Sequence, residues 1–218
     1  MGSTAQSSSR QTAHTKVFLV TGATGAIGKA IARQLANIQD SKVVLVCRDQ
    51  QKAVLAVNEI TSLTGNSEVS YELADLSRYE QIHNLAKQWQ GPLDVLINNA
   101  ACTPRSRQET PEGIEMQFAT NVLGYYWLID EFMEILKASA PARVVNVASY
   151  WAGGLDLNDL EFTRRSYDND QAEILQQSKQ ISTIKSGAVK KVLGMLEALA
   201  KNEPEKYETF WSQFGTVI

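Results

Sequence analysis

A chain of 218 residues with 44% apolar and 21% charged side chains is long enough to bury a full core in one or two domains. Its net charge of −3, spread without blocks of one sign, excludes an obligatory nucleic-acid or anionic-membrane partner, because neither attraction has a basic patch to act through. Two cysteines, Cys47 and Cys102, exclude a disulfide framework and fit a reducing, cytoplasmic setting, and no apolar run of about eighteen residues or signal-like core points to a membrane span or secretion.

Residues 1–15 are rich in Ser, Thr and Gln with almost nothing to bury, so a disordered leader or cloning remnant is expected there, with His14 inert within it. Gln6 stands where N-myristoylation requires Ser or Thr. From Lys16 onward, short β-branched runs alternate with longer amphipathic stretches, which predicts an α/β fold: a doubly wound parallel sheet of about five strands with helices on its faces. Strands are expected at 17–21, 42–47, 68–73, 93–97 and 143–148, and helices at 26–38, 50–63, 78–89 and 113–138. The runs Val95-Leu-Ile97 and Val144-Val-Asn-Val147 are apolar on both faces, as a sheet covered by helices requires.

The first strand, Val17-Phe-Leu-Val20, leads straight into Thr21-Gly-Ala-Thr-Gly-Ala-Ile-Gly28 and then into the helix-like stretch Lys29 to Ala36. Gly22, Gly25 and Gly28 lack the side chains that would block a tight turn and the approach of a pyrophosphate, and the helix start behind them supplies free N–H groups and a positive dipole end. This predicts a dinucleotide site, with Thr24 and Ile27 of the same turn among its cofactor-binding residues. The second strand ends in Arg48, where an NAD-specific site carries an acidic residue for the ribose 2′-hydroxyl. A guanidinium suits a 2′-phosphate instead, and NADP is the favoured cofactor.

Ligands in such sheets sit at the carboxyl ends of the strands. Those ends hold Asp75-Leu76 after the third strand, Asn98-Asn99-Ala100 at the fourth and Ser149 at the fifth, while Asn121 interrupts an otherwise apolar helix. Each alone is a common cap or turn residue. With the glycine turn they form one constellation.

Over roughly residues 16–172 this constellation resembles the short-chain dehydrogenase/reductase family. Thr21 to Gly28, Asp75-Leu76, Asn98-Asn99-Ala100, Asn121 and Val145-Asn-Val-Ala-Ser149 follow the family's order, and Cys47-Arg48-Asp49 with the long interval after Ser149 is most similar to the branch of retinol dehydrogenases and related NADP-dependent reductases. The resemblance implies a Rossmann-type fold and hydride transfer between the nicotinamide and a small-molecule carbonyl or alcohol. It puts Asp75 at the adenine, Asn99 at the cofactor ribose, Ser149 on the substrate carbonyl and Asn121 at a water in a proton relay. It also implies a tyrosine that gives or takes the proton, its pKa lowered from about 10 by a lysine four residues on and by the nicotinamide's positive charge.

Lys179 falls where that lysine is expected, but Leu175 stands four residues before it, and none of the 7 tyrosines is followed by lysine at the fourth position. Tyr167 is the nearest substitute donor. The catalytic set is therefore Asn121, Ser149 and Lys179, with a leucine that cannot donate a proton in the tyrosine's place. Impaired NADP-dependent carbonyl reduction or alcohol oxidation is expected; the alternative is a non-catalytic NADP-binding pseudoenzyme or a fusion scaffold.

The residues after Lys179 are too few for the strands and substrate-covering loop that the family implies. Instead, Glu173 to Ala200 and Asn202 to Gly215 resemble a piece of the bacterial heat-shock ninety chaperones near the end of their middle domain. The chain is thus expected to divide into a leader (1–15), an NADP-binding domain (16–172) and a helical tail (173–218), as a fusion. Ile181, Ile184, Val189, Val192, Leu193, Leu196 and Leu199 form an apolar stripe at helical spacing, and Asn202 and Pro204 suit the start of a second helix. The first tail helix is expected either to cover a sheet face or to extend as a partner-seeking tail beside an open sheet edge. No metal site is expected, since His14 and His83 are far apart with no Cys/His cluster, and His83 belongs on a helix surface. Homo-oligomerisation is left open, because a helix through which the family commonly pairs has been replaced.

Overall fold

The computed structural model describes residues 14–147 and 158–167. Its centre is a five-stranded parallel sheet in the order β3-β2-β1-β4-β5. The strands are β1 (Lys16–Thr21), β2 (Ser41–Cys47), β3 (Val69–Leu73), β4 (Val95–Asn98) and β5 (Arg143–Asn146). The helices are α1 (Ala26–Ala36), α2 (Gln50–Thr64), α3 (Tyr79–Gln88), a short α4 (Met116–Phe118) and α5 (Gly124–Ala138). The chain reverses direction across the sheet between β3 and β4, on either side of β1, which opens a crevice above the carboxyl ends of β1 and β4.

Two apolar layers hold this arrangement. On one face Phe18, Val20, Val43, Leu45 and Ile97 pack under Ala32 and Ala36 of α1 and Ala53, Ala56 and Ile60 of α2. On the other, Leu19, Val46 and Leu96 meet Ile82 and Leu85 of α3 and Leu128, Phe132 and Leu136 of α5. Alternate residues of β1 thus feed opposite layers, so a strand with no polar side is what a doubly covered sheet demands.

The observed bounds differ from the sequence reading in instructive places. The fourth strand starts at Val95 rather than 93 because Asp94 is turned to another use: its Oδ2 accepts the Val17 N–H at 2.8 Å. His14 is not inert, since its Nε2 lies 2.9 Å from Asp94 Oδ1 and ties the start of β1 to the start of β4. His83 is at the surface as expected, paired at 3.0 Å with Glu131 Oε2. The single helix expected at 113–138 begins at Met116, because Gly113 takes a left-handed φ of +81° in a turn closed by Thr110 N–H on Ile114 O. It is then broken by a π-helical turn, Ala119–Leu123. The fifth strand ends at Asn146 rather than 148. By contrast α2 has caps at both ends: Asp49 accepts the Lys52 N–H, and Gly65 closes it at φ +73°.

Candidate functional site

The glycine turn is built by close backbone packing against the end of β4. Gly22 has φ +65°, and a Cβ there would lie 2.7 Å from Ala100 Cα. At Gly28 a Cβ would lie 2.4 Å from Asn99 Nδ2 and 2.5 Å from Gly22 O. Both positions therefore require glycine. Gly25 is the extended N-cap of α1 and offers no side-chain cap, so the first N–H groups of that helix are left to face an anion. Ala26 and Ile27 are exposed beside them, Ile27 by 64%. These features fit a pyrophosphate, since backbone donors converge where no side chain intrudes.

Thr21 fastens this turn to β4. Its fully buried hydroxyl accepts the N–H groups of Asn99 at 2.8 Å and Ala100 at 3.0 Å and donates to Ile97 O at 3.3 Å. The Asn99 amide reaches back to Thr21 O at 2.9 Å. Asn99 thus braces the glycine turn with its side chain, a use that sequence reasoning did not foresee.

At the β2 end Arg48 is exposed and has no ion pair among the described residues. The acidic residue beside it, Asp49, is committed to the α2 N-terminus and does not pair with Arg48. Asp75 follows β3, its Oδ1 accepting from Ser77 N at 3.0 Å and Ser77 Oγ at 2.8 Å, and Leu76 is buried beneath it. Burial pushes the Cys47 thiol up to about 11, with Asp49 adding to the rise and the Thr24 backbone opposing it. Burial also raises the Cys102 thiol, which feels Arg48 and Asp75 in opposite senses. In the parallel sheet the ends of β2, β3 and β4 lie along the same edge as the glycine turn.

On the β4–β5 side Asn98 is fully buried and donates from Nδ2 to Asn146 Oδ1 at 2.9 Å. Asn121 lies in the π turn, a distortion that often marks functional segments. Its Oδ1 accepts the Cys102 N–H at 2.9 Å and its Nδ2 donates to Cys102 O at 3.0 Å, so the whole amide holds the loop leaving β4. The Tyr167 hydroxyl donates to Pro104 O at 3.0 Å and accepts from Gln117 Nε2 at 2.6 Å. These contacts tie the Tyr167 hydroxyl to α4 and to the loop after β4. Ser149, Leu175 and Lys179 lie outside the described residues.

Sequence reasoning also passed over Glu115 and Gln117. Glu115 is fully buried, its two oxygens accepting the Gln117 N–H at 3.0 Å and the Phe118 N–H at 2.7 Å to cap α4. Burial raises its carboxyl while those N–H groups oppose the rise. An acid three residues before the apolar pair Phe118-Ala119 was the only local signal. Among the described residues no cluster of His, Cys, Asp and Glu is placed to hold a metal, and no helix is long and apolar enough to cross a membrane.

The profile of the short chain dehydrogenase family matches residues 16–155, and that of the Hsp90 protein family matches residues 169–218. Retinol dehydrogenase 13 of Mus musculus is 37% identical over 169 residues, covering 75% of this chain and 50% of the relative. Retinol dehydrogenase 11 of Homo sapiens is 42% identical over 137 residues, covering 62% of this chain and 43% of the relative. The chain spans about half the length of the curated relatives it matches. Among solved structures, an uncharacterized protein from Mycobacterium paratuberculosis aligns with a TM-score of 0.67 at 26% identity, covering 79% of this chain and 61% of that one. A metagenomic short-chain oxidoreductase in complex with NADP shares the fold with a TM-score of 0.60 at 24% identity, covering 82% of this chain and 78% of its own.

Proposed function

The chain belongs to the short chain dehydrogenase family, and from that membership we propose that it binds NADP(H) and is an oxidoreductase of small-molecule carbonyl or alcohol groups whose catalysis is impaired at position 175. The bound nicotinamide supplies or takes the hydride. What falls to this chain is to bind the dinucleotide, orient it and manage the proton. The N–H groups at the start of α1 receive the pyrophosphate, with Gly22, Thr24, Gly25, Ile27 and Gly28 forming the turn beneath it. Asp75 and Leu76 would border the adenine; Asn99 and Ala100 hold the β4 end against the turn, and Asn98 ties it to Asn146 of β5.

The observation that carries NADP over NAD is Arg48. It is exposed at the end of β2 without an ion pair among the described residues, while the neighbouring acid caps α2. A 2′-phosphate there gains a charge-assisted hydrogen bond from a guanidinium that is otherwise solvated. Ser149 on the substrate carbonyl and Lys179 at the cofactor ribose complete the assignment by resemblance. With leucine at 175, no side chain gives the proton from the position four residues before Lys179, and loss of a general acid lowers a rate by about 10²–10⁴-fold.

Leu175 also favours a second reading, an NADP-binding protein without turnover. In it, residues 16–172 form the nucleotide-binding domain and residues 173–218 a helical tail joined to it as a chimera, since two unrelated family profiles meet between residues 155 and 169. Under either reading the two-cysteine composition supports a cytoplasmic protein. The test is a fluorescence titration with NADPH and, separately, NADH. Saturable binding that prefers NADPH by about tenfold or more is expected from one charge-assisted contact. Equal affinity for the two overturns the role of Arg48, and binding of neither overturns the nucleotide site.

A further inference from the structure

We propose that Gln117 and Tyr167 are positioning residues that clamp the loop leaving β4 and so fix the wall of the nicotinamide half of the crevice. The proposal rests on the NADP(H) reading above. A dinucleotide whose pyrophosphate sits at α1 and whose 2′-phosphate sits at Arg48 lays its adenosine over β2 and β3, so its nicotinamide half falls over β4 and β5. The loop that leaves β4 borders that half.

This loop is pinned at four successive points. Thr21 takes the N–H groups of Asn99 and Ala100. Asn121 bonds Cys102 in both directions. Tyr167 donates to Pro104 O at 3.0 Å, and Arg107 Nε donates to Glu161 O at 2.8 Å. The first two pins come from the sheet and the π turn. The last two come from residues 158–167, far along the chain.

That distant segment is itself held in place. Asp159 accepts from Thr163 N at 2.7 Å, Thr163 Oγ1 at 2.9 Å and Arg164 N at 3.1 Å. Leu160 is buried with Phe118 and Leu123, and Glu161 Oε2 accepts the Glu115 N–H at 3.1 Å. Phe162 is buried at a left-handed φ of +54°, a strained backbone that only a well-determined surrounding maintains. The Tyr167 ring lies 5.2 Å from that of Phe162.

Gln117 carries the choice of residue type. It is fully buried on α4, in the helical stretch that runs into the turn holding Asn121, and its amide donates to the Tyr167 hydroxyl at 2.6 Å. Leucine and phenylalanine would fill the same space without the desolvation cost of a buried amide and hydroxyl. The polar pair instead orients the tyrosine hydroxyl toward the Pro104 carbonyl. Helix, segment and loop are thereby linked through one chain of hydrogen bonds.

The test uses the full chain and two ligands, NADPH and 2′,5′-ADP, the second lacking the nicotinamide half. Tyr167→Phe removes the hydroxyl and keeps the ring on Phe162. NADPH affinity is expected to fall about three- to tenfold, the worth of one net hydrogen bond, while 2′,5′-ADP affinity stays within about twofold. An equal loss for both ligands, or no loss for either, overturns the clamp. If Tyr167→Phe does not fold, Gln117→Met, which removes the donor at similar volume, takes the same two titrations with the same criteria. A wild-type chain that binds neither ligand overturns the NADP(H) reading itself, an outcome distinct from a wild type that binds both and a variant that matches it.

Discussion

Replacing Thr21 by valine removes one oxygen from the fully buried junction of β1 and β4 and leaves its shape unchanged. That oxygen accepts the Asn99 N–H at 2.8 Å and the Ala100 N–H at 3.0 Å. Neither donor has another acceptor waiting in the glycine turn, and both residues are half-buried, so each orphaned N–H costs about 1 kcal/mol, the lower end for an unsatisfied group. The donor to Ile97 O is lost as well, but at 3.3 Å it adds little. A total of about 2 kcal/mol in a domain of this size lowers Tm by about 4–8 °C. Thermal unfolding followed by circular dichroism reads this directly, with Thr21→Ser as the control that keeps the acceptor and loses only a methyl group. Serine is expected to lie between wild type and valine. A Thr21→Val variant that melts with the wild type, or a serine variant that melts below the valine one, would refute the hydroxyl as the fastening between turn and strand.

Other outcomes follow from the same geometry. Arg48→Glu replaces the cation at the β2 end with an anion; NADPH affinity should drop by about tenfold or more, the worth of a charge-assisted hydrogen bond, while NADH affinity holds or improves, and unchanged discrimination would remove Arg48 from the site. With its thiol pushed to about 11, Cys47 is ionised to about one part in a thousand at pH 8, so iodoacetamide should alkylate it far more slowly in the native protein than in urea. Because the folded thiol titrates above the unfolded one, this group's contribution to stability is complete below the ordinary thiol range and is lost as pH rises toward 11. Rapid labelling of Cys47 in the native chain would show that the end of β2 is open.

How far the site was legible depends on whether its residues carry their signal locally. The glycine turn did, because β1, the three glycines and α1 are contiguous, and the position of Arg48 did, because it directly follows β2. The α2 helix, expected at 50–63, runs Gln50–Thr64, and its caps Asp49 and Gly65 are contiguous with it. The π turn did not: residues 118–124 read as ordinary helix, and only the pairing of Asn121 with Cys102, from the loop after β4, gives the extra turn a partner. Gln117 and Tyr167, Thr21 and Asn99, and His14 and Asp94 are likewise joined across long stretches of chain. Their neighbours in sequence carry no trace of the partner. Glu115 was hidden for a different reason, since a lone acid reads as solvent-exposed unless the two N–H groups that justify its burial are known.

The cofactor half of the crevice stands on parts that position 175 does not supply. The anion site is made of backbone at the start of α1, Arg48 belongs to the β2 end, and the layer beneath them packs α1 and α2 against β1 and β2, separate from the layer under α3 and α5. On the proposed reading, nucleotide binding and proton transfer rest on different parts of the chain, and a variant that alters one should leave the other intact. Leu175→Tyr restores a hydroxyl four residues before Lys179. If that lysine lies at the cofactor, carbonyl reduction should rise by about a hundredfold or more, the smaller share of what a general acid contributes. The gain should carry a pH signature. A tyrosine acid is active only while protonated, so the variant's rate should fall as pH rises through the lowered tyrosine pKa, whereas the wild type, with leucine at 175, should lack that break. NADPH affinity should be the same in both. No gain in turnover with unchanged NADPH binding would separate Lys179 from the crevice and leave the chain a nucleotide binder; a gain without the pH break would mean that the new tyrosine acts by packing and not as an acid.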